Sequence, residues 1–357
     1  MTTFTRRSPS FDTLTFGIEF EFLVHIDALG LPERDKELLL TRNETPEHYA
    51  RDIAGALKQH LVKQTPPFAQ VEVSDTLGII GGTERDSEAN YTSWYAGLEV
   101  VSPIMPNTVE SRDEVARMAA AIRAYEFVSF NDTAGLHVHV GRGKEGFSLA
   151  TMQKFVTLLL LGGEETLSLL HRASRRDNDQ CYSLATKSFI ARHPNDAVAA
   201  TGEVPEWVSR RILDSASASA SASHDVSEHL RGVLEKIWKA GTLSEFCELL
   251  ERGLRLAYSI NGLRPTAHRR TIEFRQAEGT LEESSDLDFL VPWIQAVTGL
   301  VAWAVDADED ECVRAVEEVR ESVRASDPSK RVRRFMDSIG VDMAAAIVLE
   351  GRPASIA

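Results

Sequence analysis

The sequence predicts an α+β protein with a largely antiparallel sheet. Segments with the two-residue alternation of strands lie far apart along the 357 residues, and amphipathic or apolar helical segments separate them. Strands spaced in this irregular way more often build an antiparallel sheet than a regular array of parallel strand–helix–strand units. We expect one domain over residues 1–357, with its core at about 14–300 and a helical C-terminal part at about 284–350.

The predicted strands and helices follow one another without an internal repeat. Alternating or apolar stretches predict strands at about 14–24, 69–75, 95–103, 134–142, 255–263 and 268–281. Apolar residues at helical spacing predict helices at about 46–62, 107–127, 148–170, 226–239 and 243–252, and from 286 onward, including an acidic helix at 308–324. The helix at 107–127 opens with a capping signal, in which Thr108 and Ser111 precede Glu114.

Two segments depart from the ordinary composition of the chain. Residues 214–224 form a Ser/Ala tract that cannot bury a core, so we expect a flexible surface insertion there. Phe289–Val305 carries no charge, but it is slightly short for a membrane span and contains Pro292, Gln295 and Gly299. We therefore predict that it is a buried helix and that the protein does not bind membranes.

The overall charge restricts the partners of the protein. The net charge is −15 at an isoelectric point of about 5.2, so the bulk field does not attract nucleic acid or anionic lipid headgroups. The three cysteines are far apart and form no CxxC pair, which fits a reducing compartment. The first sixteen residues contain no apolar signal region. These observations predict a cytoplasmic location.

Three of the predicted strands place charged or imidazole side chains two residues apart, and therefore on one face of the strand. The pairs are Glu19 with Glu21, His137 with His139, and Glu273 with Arg275; a fourth strand carries Glu99. A single Glu-x-Glu strand is typical of a solvated edge, and a single Glu-x-Arg of a surface ion pair. A lone His-x-His is a metal signal about as often as it is incidental. If the strands share a sheet, the clustered carboxylates require a counter-charge, which Mg²⁺ or Mn²⁺ supplies.

Arginines add a phosphate-binding feature to this pattern. Arg264, Arg269, Arg270 and Arg275 fall within twelve residues of a strongly acidic protein. A solvated basic strand edge is the alternative for Arg269 and Arg270. Clustered acids, a divalent cation and convergent arginines are the groups that nucleotide phosphoryl transfer needs.

The sequence contains the motifs FGIEFEF, GLEVVSPIM, GLHVHVG and TIEFRQAEGTL in this order, over about residues 14–300. Together they resemble the amidoligase family, within the glutamine synthetase and glutamate–cysteine ligase fold group. The resemblance implies a glutamine synthetase-like catalytic domain with a curved, mainly antiparallel sheet and helices packed on its outer face. It also implies ATP, Mg²⁺ or Mn²⁺, and the ligation of a small-molecule or peptide carboxylate to an amine or ammonia, in a protein that can form oligomers.

The resemblance also implies roles for individual residues. The metal ligands it indicates are Glu19, Glu21, Glu99, His137 and Glu273. Arg275 is the expected phosphate-binding arginine and, with His139 near the phosphates or substrate, the expected catalytic group. Further candidates for the nucleotide are Arg264, Arg270 and Asn261. The segment SRRDNDQCYSL provides two candidate substrate contacts, Arg176 and Tyr182, within a predicted cover at 174–186.

The mechanism implied is a two-step ligation through an acyl phosphate. An aspartate motif of the family is blurred in this sequence, where Asp75 and Asp86 compete for its place. Two other functions stay open. The His-x-His pair followed by Glu145 is also found in metal hydrolases and cupin oxygenases, although neither class accounts for Glu19, Glu21 and the pair at 273 and 275. An inactive relative that binds only a nucleotide or a partner is the other alternative.

Overall fold

The structure is a computed structural model of the chain. It describes residues 9–25, 72–74, 79–80, 95–125, 128–130, 134–176, 178–194, 201–214, 228–253, 255–279, 281 and 284–356. Several predictions lie outside these residues: the helix at 46–62, the Ser/Ala tract after Asp214, and the two candidate aspartates, Asp75 and Asp86.

Nine strands of the described part of the chain form one sheet. Their bounds are β1 Thr15–His25, β2 Glu72–Ser74, β3 Ile79–Ile80, β4 Tyr95–Val101, β5 Met105–Pro106, β6 Val128–Ser129, β7 Gly135–Gly141, β8 Tyr258–Ser259 and β9 Thr271–Glu278. The order is β2–β4–β1–β7–β9–β8; β3 pairs with β4, and β5 and β6 pair with β1. The pairings of β4 with β1, β2 and β3, and of β9 with β8, are antiparallel. The fold is thus mixed α and β with an antiparallel sheet, as predicted.

The helices of the described residues lie mostly where the sequence predicts them. Their bounds are α1 Val109–Arg123, α2 Leu149–Leu158, α3 Glu164–Ser168, α4 Ala173–Arg176, α5 Leu184–Lys187, α6 Phe189–Arg192, α7 Glu206–Val208, α8 Glu228–Lys239, α9 Leu243–Leu250, α10 Ser284–Asp306, α11 Glu309–Val323, α12 Pro328–Ser338 and α13 Met343–Ser355. Thr108 caps α1 by accepting the Ser111 N–H, as its motif predicts. A reciprocal capping box of Asp308 and Glu311 starts α11.

The chain divides into two compact units. The first unit comprises Met1–Phe16, Val138–Gln276 and Pro292–Ala357, and the second comprises Gly17–His137 and Ala277–Val291. The limits fall inside β1, β7, β9 and α10.

In the second unit, the apolar face of β1 is part of the core. Alternate residues of this strand, namely Ile18, Phe20, Phe22 and Val24, are each at most 1% exposed. Burying a side chain of this size contributes about 1.5–3 kcal/mol. This alternation fixes the register of β1, because a slip by one residue would turn its acids into the apolar core.

In the first unit, an aromatic cluster joins a helix to two strands. Phe155 of α2 meets Tyr258 of β8 and Phe274 of β9 edge to face, with ring centroids 6.3 and 5.9 Å away. All three rings are at most 1% exposed. Such pairs add about 0.5–1.5 kcal/mol to the burial of their area. The cluster therefore holds β8 and β9 firmly against α2.

The prediction of one continuous helix at 148–170 is wrong. The helix is interrupted after α2 by a π-turn, Leu159–Gly163, in which Gly162 has φ of +127°. A Cβ atom on Gly162 would lie 2.6 Å from Val323 Cγ2 of α11. The sequence looks helical because the apolar run is unbroken, but only glycine adopts this backbone conformation at such a close contact.

The predicted strand at 255–263 is much shorter than expected. Only Tyr258 and Ser259 pair as a strand, and the chain then turns into a 3₁₀ helix, Asn261–Leu263. A buried carboxylate from another element, Glu251, binds this turn. The alternation of the sequence could not show that contact.

One helix of the described residues, Asp286–Asp306 within α10, is long and apolar enough to cross a membrane by length and composition. Most of it is buried inside the protein. Trp293, Val297 and Leu300, for example, are each at most 1% exposed. This burial agrees with the prediction of a core helix.

All three cysteines are expected to resist thiol reagents in the native protein. Cys181, Cys247 and Cys312 are buried, and none of the three forms a disulfide. Burial raises the pKa of Cys247 and of Cys312 to about 12. With this pKa, both thiols stay protonated at pH 8. Because the thiolate is the reactive form, they should react very slowly. Titration with Ellman's reagent should detect almost no thiol before unfolding and three per chain in guanidinium. Rapid labelling of the native protein would contradict this arrangement.

Candidate functional site

The acidic face of β1 is the centre of the predicted site. Glu19 and Glu21 alternate with the buried apolar residues of the strand, so both project from its other face. Glu21 lies opposite Glu99 in the register of β1 and β4. Glu19 is only 6% exposed. Three carboxylates of the second unit therefore lie on two paired strands.

His137 joins the two acids of β1. Its Nδ1 lies 3.3 Å from Glu19 Oε2, and its Nε2 lies 3.7 Å from Glu21 Oε1. The ring is 2% exposed. The strand β7 that carries His137 also orients Glu21, because the Gly135 N–H donates to Glu21 Oε2 at 2.8 Å. The structure thus brings Glu19, Glu21 and His137 into one cluster within the second unit.

A glycine allows the main chain to approach Glu21 closely. The Gly279 N–H donates to the Ala134 carbonyl at 2.9 Å. A Cβ atom on Gly279 would lie 2.7 Å from the Glu21 carbonyl oxygen and 3.0 Å from that of Gly135. Any side chain at this position would therefore push β1 away at Glu21, one of the acids of the cluster.

The cluster has the chemistry of a site for a hard divalent cation. Carboxylate oxygens are the ligands that Mg²⁺ prefers, and Mn²⁺ also accepts an imidazole nitrogen. Buried carboxylates in close proximity are costly without a positive partner. Glu19, Glu21 and His137 can hold such an ion, and Glu99 lies opposite Glu21 on the next strand. The residues present therefore fit the metal that the sequence predicts.

A second group of predicted residues lies on β9 in the first unit. Glu273 and Arg275 form an ion pair, and both side chains are mostly buried. Arg275 Nε also donates to the Gln180 carbonyl at 3.2 Å. Arg175 Nη2 donates to the Arg275 carbonyl at 2.7 Å. Arg275 is thus held in place by an acid and by the segment that contains Arg175 and Gln180.

The remaining candidates for the nucleotide occupy separate parts of the first unit. His139 on β7 places Nδ1 3.3 Å from Thr271 Oγ1 of β9. Arg264 Nε donates to Asn261 Oδ1 at 3.0 Å. Arg270 is exposed, has φ of +49°, and donates to the Lys144 carbonyl at 2.9 Å. Asn261 and Arg264 are therefore in contact, whereas the main-chain contact of Arg270 lies in the turn after β7.

The two candidate substrate contacts differ in their surroundings. Arg176 is exposed, and its Nε donates to the carbonyls of Ser168 and His171, at the end of α3. Tyr182 pairs with Leu256 in an isolated parallel bridge. The Tyr182 N–H donates to the Arg255 carbonyl, and the Ala257 N–H donates to the Tyr182 carbonyl, each at 2.8 Å. The predicted cover at 174–186 is therefore tied to the chain that leads into β8.

A buried acid holds the far end of this cover. Glu164 Oε1 accepts the Leu184 N–H at 2.6 Å, and Oε2 accepts the Ala185 N–H at 2.8 Å and the Ser183 hydroxyl at 3.1 Å. Burial raises the pKa of Glu164 despite these three bonds. Glu164 was not among the predicted site residues, although an acid inside a long apolar run signals a buried polar contact.

Two other residues were also missed. Arg175 is 2% exposed and contacts the main chain of Arg275, whereas the sequence analysis chose its neighbour Arg176. Nothing in the sequence separates these two adjacent arginines. Glu251 ends α9 and binds the turn after β8. An acid at a helix C-terminus opposes the helix dipole, and this signal could have drawn attention to Glu251.

Comparison with known proteins identifies the family. The family model described as "Putative amidoligase enzyme" matches residues 12–201, which is more than half of the chain. The chain therefore belongs to this amidoligase family, and at a coarse level it is a ligase. A comparison with curated proteins finds no match. The matched range includes Glu19, Glu21, Glu99 and His137, and it ends before β9.

Proposed function

We propose that this protein is an ATP-dependent carboxylate–amine ligase that acts through an acyl phosphate. The observation that carries the proposal is the position of His137, within 3.3 and 3.7 Å of carboxylate oxygens of Glu19 and Glu21. Two carboxylates and an imidazole are a ligand set that fits Mg²⁺ or Mn²⁺. Family membership supports amide formation as the reaction.

The second unit supplies the observed cluster of this proposed metal site. Glu19, Glu21 and His137 would hold the ion, with Glu99 as a further ligand and, from the sequence pattern, Glu273. The bound ion would neutralise phosphate oxygens during phosphoryl transfer. A main-chain group orients one of these acids, because the Gly135 N–H donates to the Glu21 carboxylate. Fixed ligands of this kind spare the reaction a reorganisation cost.

Arg275 is the proposed phosphate-binding residue. Its ion pair with Glu273 and its bond to the Gln180 carbonyl limit its motion. A guanidinium that is already oriented loses little entropy when it binds a phosphate. His139, Arg264, Arg270 and Asn261 are proposed to contact the nucleotide or the acyl substrate. Transfer of the γ-phosphoryl group of ATP to the substrate carboxylate would release ADP and create an acyl phosphate. An amine or ammonia would then attack the acyl carbon, form the amide bond and displace phosphate.

The segment 174–186 is proposed to exclude water from the acyl phosphate, which would otherwise hydrolyse. Tyr182 and Glu164 support this role, because their contacts hold the segment by main-chain hydrogen bonds. We further propose that the sheet is of the curved glutamine synthetase kind with helices on its outer face. In this view the whole chain acts as one catalytic domain, in the cytoplasm, on a small-molecule or peptide carboxylate, with neither nucleic acid nor membrane as a partner.

The test is release of ADP and phosphate from ATP with Mg²⁺ or Mn²⁺, across pools of amino acids and amines, for the wild type and Glu21→Gln. We expect release that requires both an acid and an amine and that is lost in the variant. The reason is that the amide oxygen and nitrogen of Gln bind a hard cation less well than a carboxylate does.

The alternatives give different results in the same assay. Tight ATP binding without release in any pool would indicate either a substrate outside the pools or an inactive relative. If the wild type does not bind ATP, the ligase proposal is wrong and a metal hydrolase becomes the better interpretation of the cluster.

A further inference from the structure

A buried acid outside the proposed metal site organises the turn that follows β8. Glu251 is 1% exposed and lies at the C-terminus of α9. Its Oε2 accepts the Ile260 N–H at 2.9 Å, the Asn261 N–H at 3.1 Å and the Ser259 hydroxyl at 3.2 Å. Three donors thus converge on one carboxylate oxygen: the hydroxyl of the last residue of β8 and two N–H groups of the turn.

The main chain of Glu251 holds the other end of the same turn. Arg264 Nη2 donates to the Glu251 carbonyl at 2.6 Å, and Arg264 Nε donates to Asn261 Oδ1 at 3.0 Å. Since an arginine Nε–H only donates, the Asn261 atom that it meets must be the amide oxygen. The NH₂ group of Asn261 therefore lies on the opposite arm of the amide, as a donor of fixed orientation.

The turn is next to the functional residues of β9. Ser259 is the cross-strand partner of Glu273 in the pairing of β8 with β9. Glu273 is also close enough to Glu251 to raise its pKa, although burial of Glu251 is the larger cause. The contacts of Glu251 therefore set where Asn261 and Arg264 stand relative to Glu273 and Arg275.

The geometry points to Glu251 as a positioning residue for nucleotide binding, acting through Asn261 and Arg264 by the placement of Oε2. This inference rests on the proposed function, because that proposal places Asn261 and Arg264 at the nucleotide. The role depends on the position of an acceptor oxygen and not on the negative charge of Glu251.

A matched pair of variants separates position from charge. Glu251→Gln keeps an oxygen at the same distance along the side chain and removes the charge. Glu251→Asp keeps the charge, but the side chain is one methylene shorter and the oxygen recedes from Ile260 and Asn261. We expect Glu251→Gln to keep a KM for ATP close to that of the wild type. Glu251→Asp should raise it about tenfold or more, with a smaller change in kcat.

Hydrogen exchange of the ligand-free protein gives a second measurement. Glu251→Asp should lose protection at the Ile260 and Asn261 amides, whereas Glu251→Gln should keep it. A merely structural role would lower the Tm of Glu251→Asp but leave the KM for ATP unchanged, and that result would overturn the inference. The reverse order, with Glu251→Gln the more damaging change, would also overturn it.

Failure of the proposed function gives a different result. If the wild type neither binds nor consumes ATP, the ligase proposal fails and the nucleotide role of Glu251 fails with it. Hydrogen exchange then still decides whether Oε2 of Glu251 sets the turn. An unchanged KM in both variants of an ATP-consuming enzyme would reject only the inference about Glu251.

Discussion

Glu19→Gln is expected to lower the rate of metal-dependent ATP consumption about a thousandfold. This factor corresponds to about 4 kcal/mol of transition-state stabilisation that the bound metal ion would supply. Glu19 lies 3.3 Å from His137 and is nearly inaccessible to water, so solvent cannot readily replace the lost carboxylate. The same variant should lose most of its affinity for Mn²⁺, which isothermal titration can measure without ATP. Binding of Mn²⁺ should also raise the Tm of the wild type and not that of the variant.

Glu110→Gln is the matched control for this substitution. Glu110 belongs to the same unit and is exposed in the first turn of α1, and it is not one of the proposed metal ligands. The variant should bind Mn²⁺ and consume ATP like the wild type. If Glu19→Gln retained Mn²⁺ affinity, Glu19 would not be a metal ligand, whatever the activity.

Gly162→Ala is expected to lower the free energy of unfolding by about 3 kcal/mol. Two causes act together. The backbone of Gly162 has φ of +127°, and the new Cβ would lie 2.6 Å from Val323 Cγ2 and 3.1 Å from Val319 Cγ1. Unfolding in guanidinium, followed by circular dichroism, measures the loss. Val323→Ala removes the closer of the two steric contacts but leaves the contact with Val319 and the backbone conformation unchanged. The double variant should therefore recover part of the loss and not all of it.

Gly232→Ala is the control for a glycine without these constraints. Gly232 lies within α8, and a Cβ atom there would meet nothing within 4 Å. Alanine has the higher helix propensity, so this variant should be about 0.5–1 kcal/mol more stable than the wild type. If Gly162→Ala were as stable as Gly232→Ala, the π-turn would not be the native conformation of this segment.

The strand β1 shows how far the sequence could predict the fold and the site. Alternation alone identified β1, its buried face and the shared direction of Glu19 and Glu21, because the side-chain period of a strand is two. The alternation could not predict the pairing of β1 with β4, because that pairing depends on contacts between residues far apart in the sequence. Placement of His137 between two carboxylates follows from that tertiary arrangement and not from the His-x-His spacing.

Features that depend on one close contact were not predictable. The π-turn at Gly162 comes from the packing of α11, and the short β8 comes from the contacts of Glu251. Glu164 and Glu251 look like ordinary acids in the sequence. Their importance depends on burial together with several hydrogen-bond donors, and only the folded chain determines both.

The contact of Gly279 has a consequence for the tolerance of the protein to sequence change. The main chain at Gly279 approaches the Glu21 carbonyl so closely that even a methyl group has no room. A substitution at Gly279, a residue with no ionisable group, would therefore shift an acid of the proposed metal site. A substitution of this glycine during evolution could therefore inactivate the metal site while all of its ligands stay in place. A relative that keeps every acid and histidine of the site does not necessarily keep a functional metal site.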